Sequence, residues 1–178
     1  MSICKKVNGK MHRFHKLANT LVTTAILIAA VQSSRGQTLT VLVSVASVNF
    51  NLVRASATNV GNTAVNVTTS WVIGGQHRNL TVYCYFANSA AALSGGGVNI
   101  PSSAFSISTN GTAFRPLTIS EPFGGANAGR RIIADIPITG TANPTDNVVF
   151  NIDLSTGTLP QLPAGTYTGT LSVRAQAI

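Results

Sequence analysis

Beyond residue 37, apolar and polar residues alternate with period two along most of the chain, and no stretch there shows the period of an amphipathic helix. Val65, Val67, Thr69, Trp71 and Ile73 share one face of an expected strand, with Asn66, Thr68 and Ser70 on the other. After Gly74-Gly75 the alternation resumes as Leu80, Val82, Cys84 and Phe86, with Tyr83 and Tyr85 on the opposite face, so the two runs read as a hairpin. A second hairpin is expected at Asn110-Gly111, a dipeptide that supplies positive φ at both centres of a type I′ turn. Phe105 and Ile107 precede it, and Phe114, Leu117 and Ile119 follow. Pro116 in the return arm marks an edge strand or a bulge.

Further strands are expected over Ile132–Ile138, which carries Pro137, and over Val148–Leu154. The last covers Tyr167–Ala177, with Tyr167, Gly169, Leu171, Val173, Ala175 and Ala177 on one face. The stretch ANSAAALSGGGVNIPS reads as a surface loop whose alanines suit one helical turn. Near the start, Leu39, Val41, Val43 and Val45 alternate, and the phase then slips so that Val48, Phe50 and Leu52 form the apolar set. A one-residue slip exchanges sheet faces. Either a bulge near Ala46-Ser47 carries one long strand between sheets, or two short strands are present. Seven or eight strands with frequent turns predict one all-β domain over residues 37–178. The expected architecture is an antiparallel immunoglobulin-like β-sandwich, with a jelly roll as the alternative.

Residues 1–36 read differently. Lys5, Lys6, Lys10, Arg13 and Lys16 precede the mostly apolar run Leu17–Val31, which is short and threonine-rich for a membrane span, so this segment is expected to be a secretory signal peptide. Cleavage after Gly36 puts Ser34 and Gly36 at the small-residue positions. The full chain carries a net charge of +8, but six of its 12 Lys and Arg precede Gln37. The remaining six arginines and four carboxylates leave 6 − 4 = +2. Nucleic-acid binding thereby loses its main support, and Arg130-Arg131 reads as part of a solvated loop. Cys4 leaves with the leader, so Cys84 has no partner for an intramolecular disulfide.

The catalytic inventory is thin. His77 is the one histidine after the leader and sits in an expected turn. Glu121, Asp135, Asp146 and Asp153 have no spacing that argues for an acid/base pair or a calcium loop. The glycines of SGGGVNIP lack the lysine and helix of a phosphate loop, and Cys84, alternating with Val82 and Phe86, reads as buried and inert. These features point to a non-enzymatic protein with no cofactor and no metal. Tyr83 and Tyr85, off the core face, form a candidate platform for a glycan.

The closing stretch LPAGTYTGTLSVRAQA resembles the end of spore-coat-U-like and chaperone–usher pilin-like secreted bacterial domains. In these a Pro-Ala-Gly turn and a tyrosine lead into a final alternating strand. The resemblance covers about 16 residues, and the paired cysteine common near the mature N-terminus of that group is missing here. It implies an immunoglobulin-like sandwich that is secreted, periplasmic or at the cell surface, in fibres or coats assembled by strand exchange. The partner would be a second copy or another exported β-domain. Leu39, Val41, Val43 and Val45 have the alternation that a donor segment needs. The strand count suggests instead that the closing strand completes its own fold, leaving residues 39–45 as an extra edge strand or a free donor.

Overall fold

The alternating runs become antiparallel strands because each buries its apolar face while its backbone groups pair along the sheet. The computed structural model describes residues 37–53, 55–75, 77–155, 162–163 and 165–178; the expected leader lies outside them. In chain order the strands are β1 (Thr38–Val43), β2 (Val65–Val72), β3 (Arg78–Phe86), β4 (Leu93–Gly95) and β5 (Val98–Ile100). After a 3-10 turn (Ser102–Ala104) come β6 (Phe105–Thr109), β7 (Arg115–Pro116), β8 (Gly129–Ile138), β9 (Thr141–Ala142), β10 (Thr145–Ile152) and β11 (Leu171–Ala177).

One sheet runs β1-β2-β10-β6-β7, with β9 also on β2; a second runs β11-β3-β8, and β4-β5 form a small ribbon. Every pairing between these strands is antiparallel. The core draws on both large sheets: Val65, Val67, Trp71, Ile107, Val148 and Ile152 from the first, Leu80, Val82, Cys84, Phe86 and Ile138 from the second. This all-β arrangement of antiparallel sheets is consistent with a β-sandwich. Leu80, Val82 and Val148 are wholly removed from solvent, each contributing about 1.5–3 kcal/mol.

Several expectations hold. Asn110 and Gly111 have φ of 51° and 77°, Thr112 N–H donates to Thr109 C=O at 3.0 Å, and β6 and β7 pair as a hairpin. Pro116 lies in the last strand of its sheet, where its missing N–H removes no ladder bond.

Others are corrected. β2 and β3 do not form a hairpin: the Gly74-Gly75 turn passes the chain from one sheet to the other, and each strand takes different partners. Both apolar faces then point into the shared core from opposite sides. The Gly-rich loop contains the β4-β5 ribbon, whose two-residue turn Gly96-Gly97 has φ of 57° and 77°. Val48–Val53 is not a strand; Phe50 makes only an isolated bridge to Gly61. Val48, Phe50 and Leu52 nevertheless pack on the core as their phase requires. The closing strand starts at Leu171 rather than Tyr167, because Thr168 instead bridges to Ser94 beside the ribbon. Arg130-Arg131 belongs to β8, not to a loop.

A buried amide knot holds the long connection between β1 and β2 in place. Asn59 N–H donates to Asn151 Oδ1 at 2.8 Å, Asn59 Nδ2 donates to Ile152 C=O at 2.8 Å, and Val53 N–H donates to Asn59 Oδ1 at 2.6 Å.

Candidate functional site

The segment carrying Leu39, Val41, Val43 and Val45 lies on its own chain. β1 pairs with β2 in one continuous register, from Thr38 opposite Val72 to Val43 opposite Val67. Leu39, Val41 and Val45 are half-buried against the core. Val43, expected on the same face, is 40% exposed, because it is the last residue of β1 and the backbone bends at Ser44. Leu42 on the outer face is 70% exposed, and no residue of β1 is buried.

β11 pairs with β3 at seven positions, Leu171 opposite Phe86 through Ala177 opposite Leu80. The closing strand therefore joins a sheet of its own chain. Its inward row of Leu171, Val173, Ala175 and Ala177 packs on the core but is only half-buried, whereas the facing row of β3 is closed to solvent. β1 and β11 are each the last strand of their sheets and approach one another at the same side of the molecule.

At the opposite side the sheets end in β7 and β8, and these edges are broken. β7 is two residues long and contains Pro116. β8 contains Pro137, has register shifts against β3, and holds Asp135 at a φ of 49°. Between them lies an open cleft of about 810 Å³, with Ile107, Ile119, Ile133 and Ile136 on its walls and Arg115 and Arg130 among its polar lining.

The Tyr83/Tyr85 face is also occupied from within. Tyr83 is only 3% exposed. Phe123, from the loop between β7 and β8, stacks edge-on to Tyr83 at 5.4 Å between ring centres and lies 6.2 Å from Tyr85. Arg174 places its guanidinium 4.0 Å from the Phe123 centroid, and Arg131 lies 5.9 Å from that of Tyr83. Arg131 also bonds Glu121 at 3.2 Å and Asp135 at 3.0 Å. The contact with the buried Glu121 carboxylate raises the Arg131 pKa above its ordinary value. Two carboxylates that looked isolated in the sequence thus share one guanidinium; Asp135 follows Arg131 by four residues in β8, and Glu121 reaches it from the preceding loop.

Cys84 is buried, its Sγ donating to Arg130 C=O at 3.4 Å, and burial pushes the thiol pKa up to about 12. A thiol held protonated is a poor nucleophile. His77 is exposed in the turn before β3. Among the described residues, no group of three or more His, Cys, Asp or Glu side chains is placed to hold a metal ion. No family model matches the chain, and neither the curated proteins nor the solved structures contain a match to it.

Proposed function

We propose that this is an exported, non-enzymatic structural or surface-interaction protein, an immunoglobulin-like and pilin-like sandwich. Its copies assemble into a fibre or coat by β-strand exchange through residues 37–46. The observation that carries the reading is the contrast between the two sides of the molecule. An edge strand templates pairing with another chain unless proline, bulges, charge or shortness blunt it. β7 and β8 carry such protection. β1, with the sequence TLTVLV, has no charge, no proline and no bulge in its pairing, and β11 has the single charge Arg174, turned onto Phe123. The resemblance of the closing stretch to spore-coat-U-like and pilin-like domains, and the leader-like first 36 residues, support export on independent grounds.

Light scattering across a concentration series tests this. The expected result is large species with the wild-type chain and their loss on deletion of residues 37–46. Because the deletion uncovers β2, a second variant, Leu42→Cys with Thr68→Cys, locks β1 to its own β2 across facing register positions. Association should vanish when that variant is oxidised as a monomer and return on reduction. A wild-type chain that stays monomeric throughout would overturn the proposal.

A further inference from the structure

The cleft between β7 and β8 holds two charges that the fold itself does not use. Residues directly opposite in an antiparallel pair share a face. Arg115 lies opposite Ile107 and Arg130 opposite Cys84, and both partners are core residues, so each arginine stands on the inward face of its strand. Arg130 reaches across to β7, its Nη1 donating to Pro116 C=O at 3.2 Å, which brings it beside Arg115. Both ion pairs among the described residues belong to Arg131. One inward charge is enough to deter pairing at an edge. Here two guanidiniums from opposite sheets line one cleft, and neither has a carboxylate partner among the described residues.

The carboxylates of the same lining are already engaged. Glu121 holds Arg131 and its side chain is 2% exposed, Asp146 Oδ1 accepts from Asn110 Nδ2 at 2.8 Å, and the remaining oxygen of each is closed to solvent. Three guanidiniums and two carboxylates in the lining leave one positive charge. The rest of the cleft is largely apolar. β8 leads from Arg130 past Ile133 to Ile136, at most about 20 Å along the strand, and Ile107 of β6 and Ile119 after β7 complete the walls. The volume of about 810 Å³ falls in the range of small-molecule sites, roughly 300–1,000 Å³. A peptide strand is a poor occupant, because Pro116, Pro137 and the register shifts of β8 offer it no continuous ladder. An alkyl chain needs none.

We propose that this cleft binds a free fatty acid, its carboxylate held by Arg115 and Arg130 and its alkyl chain lying along Ile107, Ile133 and Ile136. A single negative charge neutralises the surplus of the lining, and a planar carboxylate matches the guanidinium fork. The alkyl chain covers apolar surface now left to solvent, since Ile119 is 40% and Ile136 38% exposed. The site lies at the side of the molecule away from β1 and β11, so it stands apart from the assembly surface proposed at residues 37–46.

Isothermal titration of the full-length chain with dodecanoate, kept below its micelle-forming concentration, tests this. Binding is expected, weakening roughly fourfold for each methylene removed in decanoate and octanoate. Arg115→Gln, at an exposed side chain, should weaken dodecanoate binding about ten- to a hundredfold through loss of the charged head contact. Ile136→Glu, which puts a like charge beside the alkyl chain, should weaken it as well and repeats the measurement should the first variant fold poorly. Dodecyltrimethylammonium, with the same chain and the opposite charge, should bind more weakly than dodecanoate by about tenfold or more. Absence of dodecanoate binding, equal binding of the two head groups, or acetate bound as tightly as dodecanoate overturns the proposal. Affinity unchanged in both variants overturns it too, placing the ligand elsewhere, as on the apolar run Leu17–Val31.

Discussion

Cys84 shows how a single residue's environment decides its chemistry. Folding holds its thiol proton more tightly, with a pKa of about 12 against an ordinary 9.0, chiefly because burial penalises the thiolate. The folded state then binds more protons than the unfolded state between those values, so this contribution to stability is whole below pH 9 and declines as pH rises toward 12. Denaturation of wild type and Cys84→Ala across that range should show a steeper alkaline decline in wild type. The difference should be at most about 1.4 kcal/mol per pH unit, and equal slopes would contradict the burial effect. Thr69 presents a different case: it is closed to solvent and its Oγ1 has no hydrogen-bond partner among the described residues. Thr69→Val replaces that hydroxyl by a methyl of similar shape and should raise stability by about 1 kcal/mol, read as an increase in Tm.

At the scale of elements, irregular segments are held by specific side chains rather than by ladders. The Asn59 knot ties Val53 and Asn59 to the end of β10 through bonds that no aliphatic side chain replaces. Asn59→Ala leaves Val53 N–H and Ile152 C=O without these partners and should cost roughly 2–4 kcal/mol, measured by urea denaturation; a cost near zero would show the knot to be ornamental. The loop carrying Phe123 depends on Gly124, which has a φ of 84°. A Cβ there would collide with the Tyr85 ring and approach Phe86 C=O at 2.8 Å. Gly124→Ala should therefore lift Phe123 from the tyrosines, and nitration mapped by mass spectrometry should show faster modification of Tyr83. Protection equal to wild type would mean that the cover does not depend on this turn.

For the whole molecule, the asymmetry of its edges matters more than its net charge. The segment Gln37–Ala46, proposed above as the strand donor, contains no charged residue, and exposed charge pairs are the interactions that salt screens. Association through that segment should change little between low and high ionic strength in sedimentation or light scattering. A steep loss with salt would direct attention instead to Arg115 and Arg130 at the cleft between the β7 and β8 edges.

The sequence by itself determined which side of the long regular strands β2 and β3 faces inward. Leu80, Val82, Cys84 and Phe86 form a buried row as their alternation required, Asn110-Gly111 makes its turn, and Pro116 lies at a sheet edge. These are local properties: the pleat fixes alternation, and a dipeptide fixes positive φ within one turn. Only the tertiary structure decided partners. That β2 joins β1 and β10 rather than β3, and that Phe123 covers Tyr83, both depend on residues distant in the chain. Pairing energy is similar for any two well-matched strands. The choice therefore falls to the arrangement that closes one common core, a sum over the whole chain that no local pattern records.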